Sequence, residues 1–457
     1  MKRSALLIAG LLVLAAGAPH ALRPRAHASD LVRVASVRQP DGPRPSYRTD
    51  ELIVQFRATA DDQMAERAIR FSGGRSARHS RYGNRFLVHL QEGVGLTEAL
   101  ARFSSLPEVE YAEPNGIVRS FQATRFTPND RLYNLQWNMR MIDAERTWAI
   151  QKGSSDVAVA VLDTGIAFED FGPYRKAPDF GGTVFLPGHD FINDDDHAND
   201  DNFHGTHVAS TIAEATNNGE GVSGLAFNCA LMPVKVLDEG GFGDLFAVAE
   251  GIDYAVNFRQ NGVNPVKVIN MSLGGESGNE TMRRAVERAE DAGITVVAAA
   301  GNESVGEVGF PAAYDTAIAV GAVDGRKQKA PYSNFGSALD IVAPGGDIRR
   351  DDTGANGAPD GRPDGIIQQT FDPDTAEFEG RFDDFAYFFV VGTSQATPHV
   401  AALACLLYQQ GIRDPSAIRA AIENSAEDLG QPGRDDRFGF GLIRPDVALS
   451  GYGLNQR

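Results

Sequence analysis

Six short runs of this chain are apolar almost throughout: Val157–Leu162, Ala230–Leu237, Val266–Leu273, Ile294–Ala299, Thr316–Val323 and Leu339–Ala343. A strand with one wet face alternates apolar and polar residues, so a strand with no polar side is covered on both faces. Stretches with helical spacing lie among these runs: His204–Ala215, Asp244–Phe258, Glu280–Ala292 and Pro398–Gln410. The alternation predicts an α/β domain with a doubly wound, mostly parallel sheet. In such a sheet the working residues gather just beyond the carboxyl ends of the strands.

What stands beyond those ends is chemically pointed. Asp163-Thr164-Gly165 follows the first run, Ser272-Leu273-Gly274-Gly275 the third, and Gly301-Asn302 the fourth. His204-Gly205-Thr206-His207 opens the helix after the first long loop. Phe388-Phe389-Val390-Val391 leads through a glycine into Thr393-Ser394-Gln395-Ala396-Thr397-Pro398-His399-Val400, which puts Ser394 at a strand-to-helix turn. A serine there is ordinarily a helix cap, but it is also beside the first unpaired N–H groups of the helix. A seryl hydroxyl needs a base to attack, the base needs an orienting carboxylate, and the oxyanion needs donors. One sheet edge is predicted to hold all four.

These motifs, in this order over about 240 residues, resemble the subtilisin-like serine proteases (subtilases). The resemblance runs from about residue 128 to near Leu449, and residues 50–115, closing on Val109–Pro114, resemble the family's propeptide. It implies a serine endopeptidase with Ser394 as nucleophile, His204 as general base, Asp163 as its orienting carboxylate and Asn302 as oxyanion donor. Ser272, Leu273 and Gly274 would bind the substrate backbone, with Ala300 and Gly301 forming the opposite wall. No organic cofactor is implied. Ala215–Val222 is similar to the family's calcium loop, with Asn218, Glu220 and Val222 as ligands and Asp190 as a carboxylate; a plain Asn/Gly loop is the alternative. His207 and His399 read as structural. Gln395 stands where many subtilases carry methionine. A silent peptide-binding scaffold and a transpeptidase using the same acyl-enzyme are the competing readings.

The rest of the chain sets the context. Lys2 and Arg3 precede the apolar run Leu6–Ala16, and Ala26-His27-Ala28 offers a small-residue cleavage site, so residues 1–28 read as an export signal and the protein as secreted. Residues 29–120 read as a leader plus a small ferredoxin-like α+β propeptide domain, made of Leu52–Phe56, Asp62–Phe71, Arg85–Leu90, Leu96–Phe103 and Val109–Ala112. By resemblance it is an intramolecular inhibitor, cleaved near Asn115–Thr127. Residues 121–457 form the catalytic domain. Of the net charge of −18, this last part carries −23, which speaks against nucleic acid as a partner and favours solubility and hard-cation binding; protein and peptide substrates, and a monomer, are what the resemblance implies. Small residues lining the cleft suggest large apolar side chains before the scissile bond. No run reaches the length of a membrane span. Cys229 and Cys405 leave both a single disulfide and two free thiols open, apolar surroundings favouring the thiols. Two acidic insertions, 193–201 and 346–387, are further candidate cation loops, the second through Asp352–Asp364.

Overall fold

The computed structural model describes residues 47–116, 125–351 and 361–451. They fall into two compact units that divide between residues 116 and 125. The expected signal segment lies outside the described residues, as does most of Asp352–Asp364.

The first unit is a four-stranded antiparallel sheet with two helices. Strand β1 (Tyr47–Phe56) leads to α1 (Asp62–Phe71), β2 (Gly74–His79), β3 (Arg85–Leu90), α2 (Leu96–Ser104) and β4 (Val109–Gly116), in sheet order β2-β3-β1-β4. In β1, Leu52, Val54 and Phe56 are buried while their neighbours are not, the period of a strand with one covered face. Phe86, Val88 and Leu90 repeat this in β3, and Ala65, Ala68, Ile69, Ala99 and Phe103 from the helices close the core. Asp61 caps α1 by accepting the Met64 N–H at 2.8 Å. Strand β2 has no apolar alternation and could not be read from its residues, which are exposed after Gly74.

The second unit opens with α3 (Trp137–Met141) and α4 (Ala144–Ile150), then alternates strands and helices. In order come β5 (Ala158–Asp163), β6 (His189–Asp190), α5 (His204–Ala213), β7 (Ala230–Lys235) and α6 (Leu245–Asn257). There follow β8 (Val266–Met271), α7 (Glu280–Asp291), β9 (Thr295–Ala299), β10 (Ala317–Val323) and β11 (Ile341–Pro344). A hairpin of β12 (Ile366–Phe371) and β13 (Phe385–Val390), with α8 (Pro373–Glu379) at its turn, precedes α9 (Thr393–Gln409), α10 (Pro415–Ser425) and α11 (Pro445–Leu449). The large sheet runs β11-β10-β9-β8-β5-β7-β6, and every pairing in it is parallel. Strands β5, β7, β9, β10 and β11 are buried at every position, as their composition requires. Helix α9 packs across β8 to β11, α5 packs on α9 and β12, and α6 lies beside α7 against β5 and β8.

Two sequence expectations change. Helix α9 begins at Thr393, five residues before Pro398. Proline lacks the N–H that would bond the Ser394 carbonyl, and the Ser272 hydroxyl supplies that bond instead, at 2.8 Å. Of the two readings open for Cys229 and Cys405, the less favoured one holds: they are a disulfide linking the segment before β7 to α9. Both half-cystines are buried in the apolar core, which explains why their surroundings looked like those of thiols.

Candidate active site

The carboxyl edge of the sheet brings the expected residues together. Asp163, the last residue of β5, is fully buried. Its Oδ1 accepts from His204 Nδ1 at 2.7 Å and from the Thr164 N–H at 2.8 Å. His204 is the first residue of α5, so the imidazole's place depends on how that helix starts. Asp200 fixes the start: its Oδ1 accepts from Thr164 Oγ1 and the N–H groups of Asn202 and Phe203, and its Oδ2 from the Thr206 N–H and Oγ1. Phe203 is thereby held at φ 100°, a left-handed backbone that a bulky residue adopts only under constraint, with its carbonyl taken by Thr370 Oγ1 at 2.8 Å. Gly205 must be glycine, because a Cβ there would strike the Gly165 carbonyl. Burial opposes a charged imidazole at His204, but the charge and hydrogen bond of Asp163, helped by Asp200, outweigh it, and the pKa lies above its ordinary 6.5.

Ser394 sits in the first turn of α9, where backbone N–H groups lack helical partners. It is tied to the end of β8 twice. Its carbonyl accepts from Ser272 Oγ at 2.8 Å, and its Oγ donates to the Ser272 carbonyl at 3.0 Å. Asn302 follows β9, and its Oδ1 accepts from the Thr393 N–H at 2.9 Å and from Thr393 Oγ1 at 3.0 Å. With the oxygen so occupied, the amide must present its Nδ2 donors on its other side. Thr393, which holds the Asn302 side-chain oxygen, was not singled out in the sequence; its only signal was adjacency to Ser394.

The expected substrate walls are also placed. Residues 272–275 leave the end of β8, and Gly275 exchanges two 2.8 Å backbone bonds with Phe310. Ala300 and Gly301 extend β9 on the other side, with the Ala300 carbonyl accepting from the Gly309 N–H at 2.9 Å. Gly309 stands between the walls, where a Cβ would lie 3.3 Å from the Gly275 carbonyl and 3.4 Å from that of Ala300. Glu303 does not face this gap: its Oε2 accepts from the Asn302 N–H at 2.9 Å and from Asn334 Nδ2 at 2.7 Å.

Two buried histidines lie close by. The Nε2–H of His207 donates to the carbonyls of Ile366 and Phe388, at 3.1 and 3.2 Å, pinning both strands of the hairpin that leads to Ser394. His399 donates from Nδ1 to the Gln395 carbonyl and accepts from Asn138 Nδ2, each at 2.8 Å. Burial lowers both to about 4, so both are neutral at pH 7.

The calcium loop needs a correction. Asp190 engages its own turn, accepting from the N–H groups of Ile192 and Asn193 and from Asn193 Nδ2. The carboxylates bonded to the 215–223 segment are Asp130, which accepts from the Asn217 and Asn218 N–H groups and Ser223 Oγ, and Asp179, which accepts from Asn218 Nδ2 and the Val222 N–H. Both are remote in sequence from the loop, so spacing gave no hint of them. Glu214, fully buried beside Asp179, has neither carboxyl oxygen hydrogen-bonded with good geometry. Burial first, then the neighbouring Asp179 carboxylate, hold the Glu214 pKa well above its ordinary value. Among the described residues, no three His, Cys, Asp or Glu side chains are grouped to hold a metal by themselves.

An imidazole held on one side by a buried carboxylate, with a seryl hydroxyl and a side-chain amide at the same sheet edge, is the residue set a serine hydrolase on an α/β scaffold uses. Comparison with known proteins carries this to a family: residues 154–441 match the subtilase family, peptidase S8, and the chain belongs to it. It is a subtilisin-like serine endopeptidase. Residues 35–115 match the fervidolysin N-terminal prodomain. The thermophilic serine proteinase of Bacillus sp. (strain AK1) is 35% identical over 397 residues, 86% of each chain. Thermitase of Thermoactinomyces vulgaris is 37% identical over 309 residues, covering 67% of this chain and 94% of its own. Among solved structures, a protease from Pseudoalteromonas arctica PAMC 21717 aligns with a TM-score of 0.61 at 30% identity, over 71% of this chain and 99% of its own.

Proposed function

We propose that the chain is made as a secreted, self-processing zymogen whose second unit hydrolyses peptide bonds through Ser394, His204, Asp163 and Asn302. The observation that carries this reading is the 2.7 Å contact between His204 Nδ1 and the buried Asp163. It assigns the Nδ1–H tautomer and leaves Nε2 as the free base. Substrate enters as an added strand along Ser272–Gly274, with a large apolar side chain between that wall and Ala300–Gly301. The Ser394 hydroxyl exchanges the Ser272 carbonyl for His204 Nε2, a tightening common when substrate reaches an empty site. Oγ then attacks the scissile carbonyl, and the proton passes to Nε2. Asn302 Nδ2 and the Ser394 N–H receive the oxyanion, and His204 returns the proton to the leaving amine. Water, activated by the same imidazole, releases the acyl group.

The first unit acts as intramolecular inhibitor until it is cut away. Calcium, when bound, is held by Asn218, the Val222 carbonyl, Asp179 and Asp130, and stabilises the loop that follows α5. The test is Ser394→Ala, which should lower kcat on casein by about 10⁶-fold, abolish labelling by a fluorophosphonate and leave the precursor uncut. A Ser394→Ala precursor that still severs its own N-terminal unit would overturn the mechanism. Asn302→Ala should cost about 10²–10³ in kcat, as loss of one oxyanion donor does.

A further inference from the structure

Asn302 is exposed, on a turn with little packing of its own, yet an oxyanion donor has to stand still. What steadies it is a second amide. Asn334, on the connection between β10 and β11, is only 3% exposed and turns its side-chain amide and its N–H on residues 300–305. Its Nδ2 donates to Glu303 Oε2 at 2.7 Å and to the Ala300 carbonyl at 3.2 Å. Its Oδ1 accepts from the N–H groups of Glu303 and Val305, at 3.0 and 3.2 Å, and its own N–H donates to the Gly301 carbonyl at 3.0 Å. Glu303 Oε2, fixed in this way, accepts from the Asn302 N–H at 2.9 Å. Gly301, at φ 107°, completes the fit, since a Cβ there would collide with Asn334 Nδ2.

We propose that Asn334, acting through Glu303, is a positioning residue for the oxyanion donor: it anchors the backbone of Asn302 while Thr393 anchors its side-chain oxygen. The inference rests on the reading of Asn302 given above. Two independent tethers leave Nδ2 one direction in which to point. The bond from Asn334 also holds the Glu303 carboxylate against the turn, as a charge-assisted pair stronger than one between neutral groups. Asn334→Asp keeps the shape and both acceptor contacts but sets a carboxylate oxygen against Glu303 Oε2 and the Ala300 carbonyl. Asn334→Ala removes every side-chain tether.

The experiment is a double-mutant cycle on the mature enzyme, with kcat and KM measured on a peptide substrate and the unfolding midpoint recorded for each variant. The expected result is that either Asn334 variant lowers kcat about tenfold with KM changed by less than about twofold. In an Asn302→Ala background the same substitutions should lower kcat no further, because the group they position is gone. A merely structural role lowers the midpoint while its effect on kcat is equal in both backgrounds; that result overturns the proposal. So does an undiminished kcat in both Asn334 variants when Asn302→Ala alone is impaired. An Asn302→Ala enzyme with full kcat refutes the oxyanion reading itself, and the clamp falls with it. Should Asn334→Ala not fold, the isosteric Asn334→Asp carries the cycle.

Discussion

At the scale of single residues, the role proposed for His204 as base makes it the group that decides how the enzyme answers to pH. The base works only when neutral, and its pKa is raised above 6.5 by Asp163 and Asp200 against the effect of burial. The acid limb of kcat/KM therefore lies on the alkaline side of 6.5. Asp200→Asn removes one of the raising charges, so the limb should move to lower pH; a pH profile on a small peptide that shows the limb fixed or moved upward contradicts this account. Gln395 governs a different sensitivity. It is buried behind the nucleophile, with its Oε1 against Gly392, and carries no oxidisable sulfur. Activity should survive mild peroxide, and Gln395→Met should make it peroxide-labile. The placing of Asp163, His204, Asn302 and Ser394 at one sheet edge was legible in the sequence because each stands at the end of a readable strand or the start of a readable helix; the roles proposed for them came from the family resemblance. Thr393, Asp200 and Asn334 were not, because what they do depends on which backbone groups the fold brings within about 3 Å.

At the scale of elements, what could be read was what composition encodes. The strands of the parallel sheet and the helices between them announced themselves by apolar runs and helical spacing. The two-residue β6 is too short to carry a pattern, and β12 hid inside an insertion rich in aspartate and glycine. The start of α9 was masked by Pro398, whose cost to the helix is offset by a hydroxyl from another strand. The disulfide belongs to this scale as well. It joins positions 176 residues apart and ties α9 to the segment entering β7. Replacing both cysteines by alanine should cost about 2–5 kcal/mol, or about 3–7 °C in the unfolding midpoint under non-reducing conditions. Calorimetry on the mature enzyme checks it, and an unchanged midpoint would show that core packing alone holds α9.

At the scale of the whole molecule, two compact units share one chain, and the acidic charge lies almost wholly in the second. Cation binding at the loop of Asn218 should make stability depend on calcium: chelation lowers the unfolding midpoint, added calcium restores it, and Asp179→Asn blunts both effects. A midpoint indifferent to chelator removes the cation from the account. Among the described residues no helix is long and apolar enough to cross a membrane.

The order of the site residues along the chain has a consequence for biosynthesis. Asp163 emerges from the ribosome first, His204 next, then Asn302, and Ser394 last, 231 residues after Asp163. The helix that presents Ser394 packs on β8, β9, β10 and β11, all of which precede it in the chain. On the roles proposed above, a growing polypeptide is thus incapable of cutting its neighbours until Ser394 has emerged and α9 has been made. The order of translation thus adds a safeguard to the inhibition proposed for the first unit.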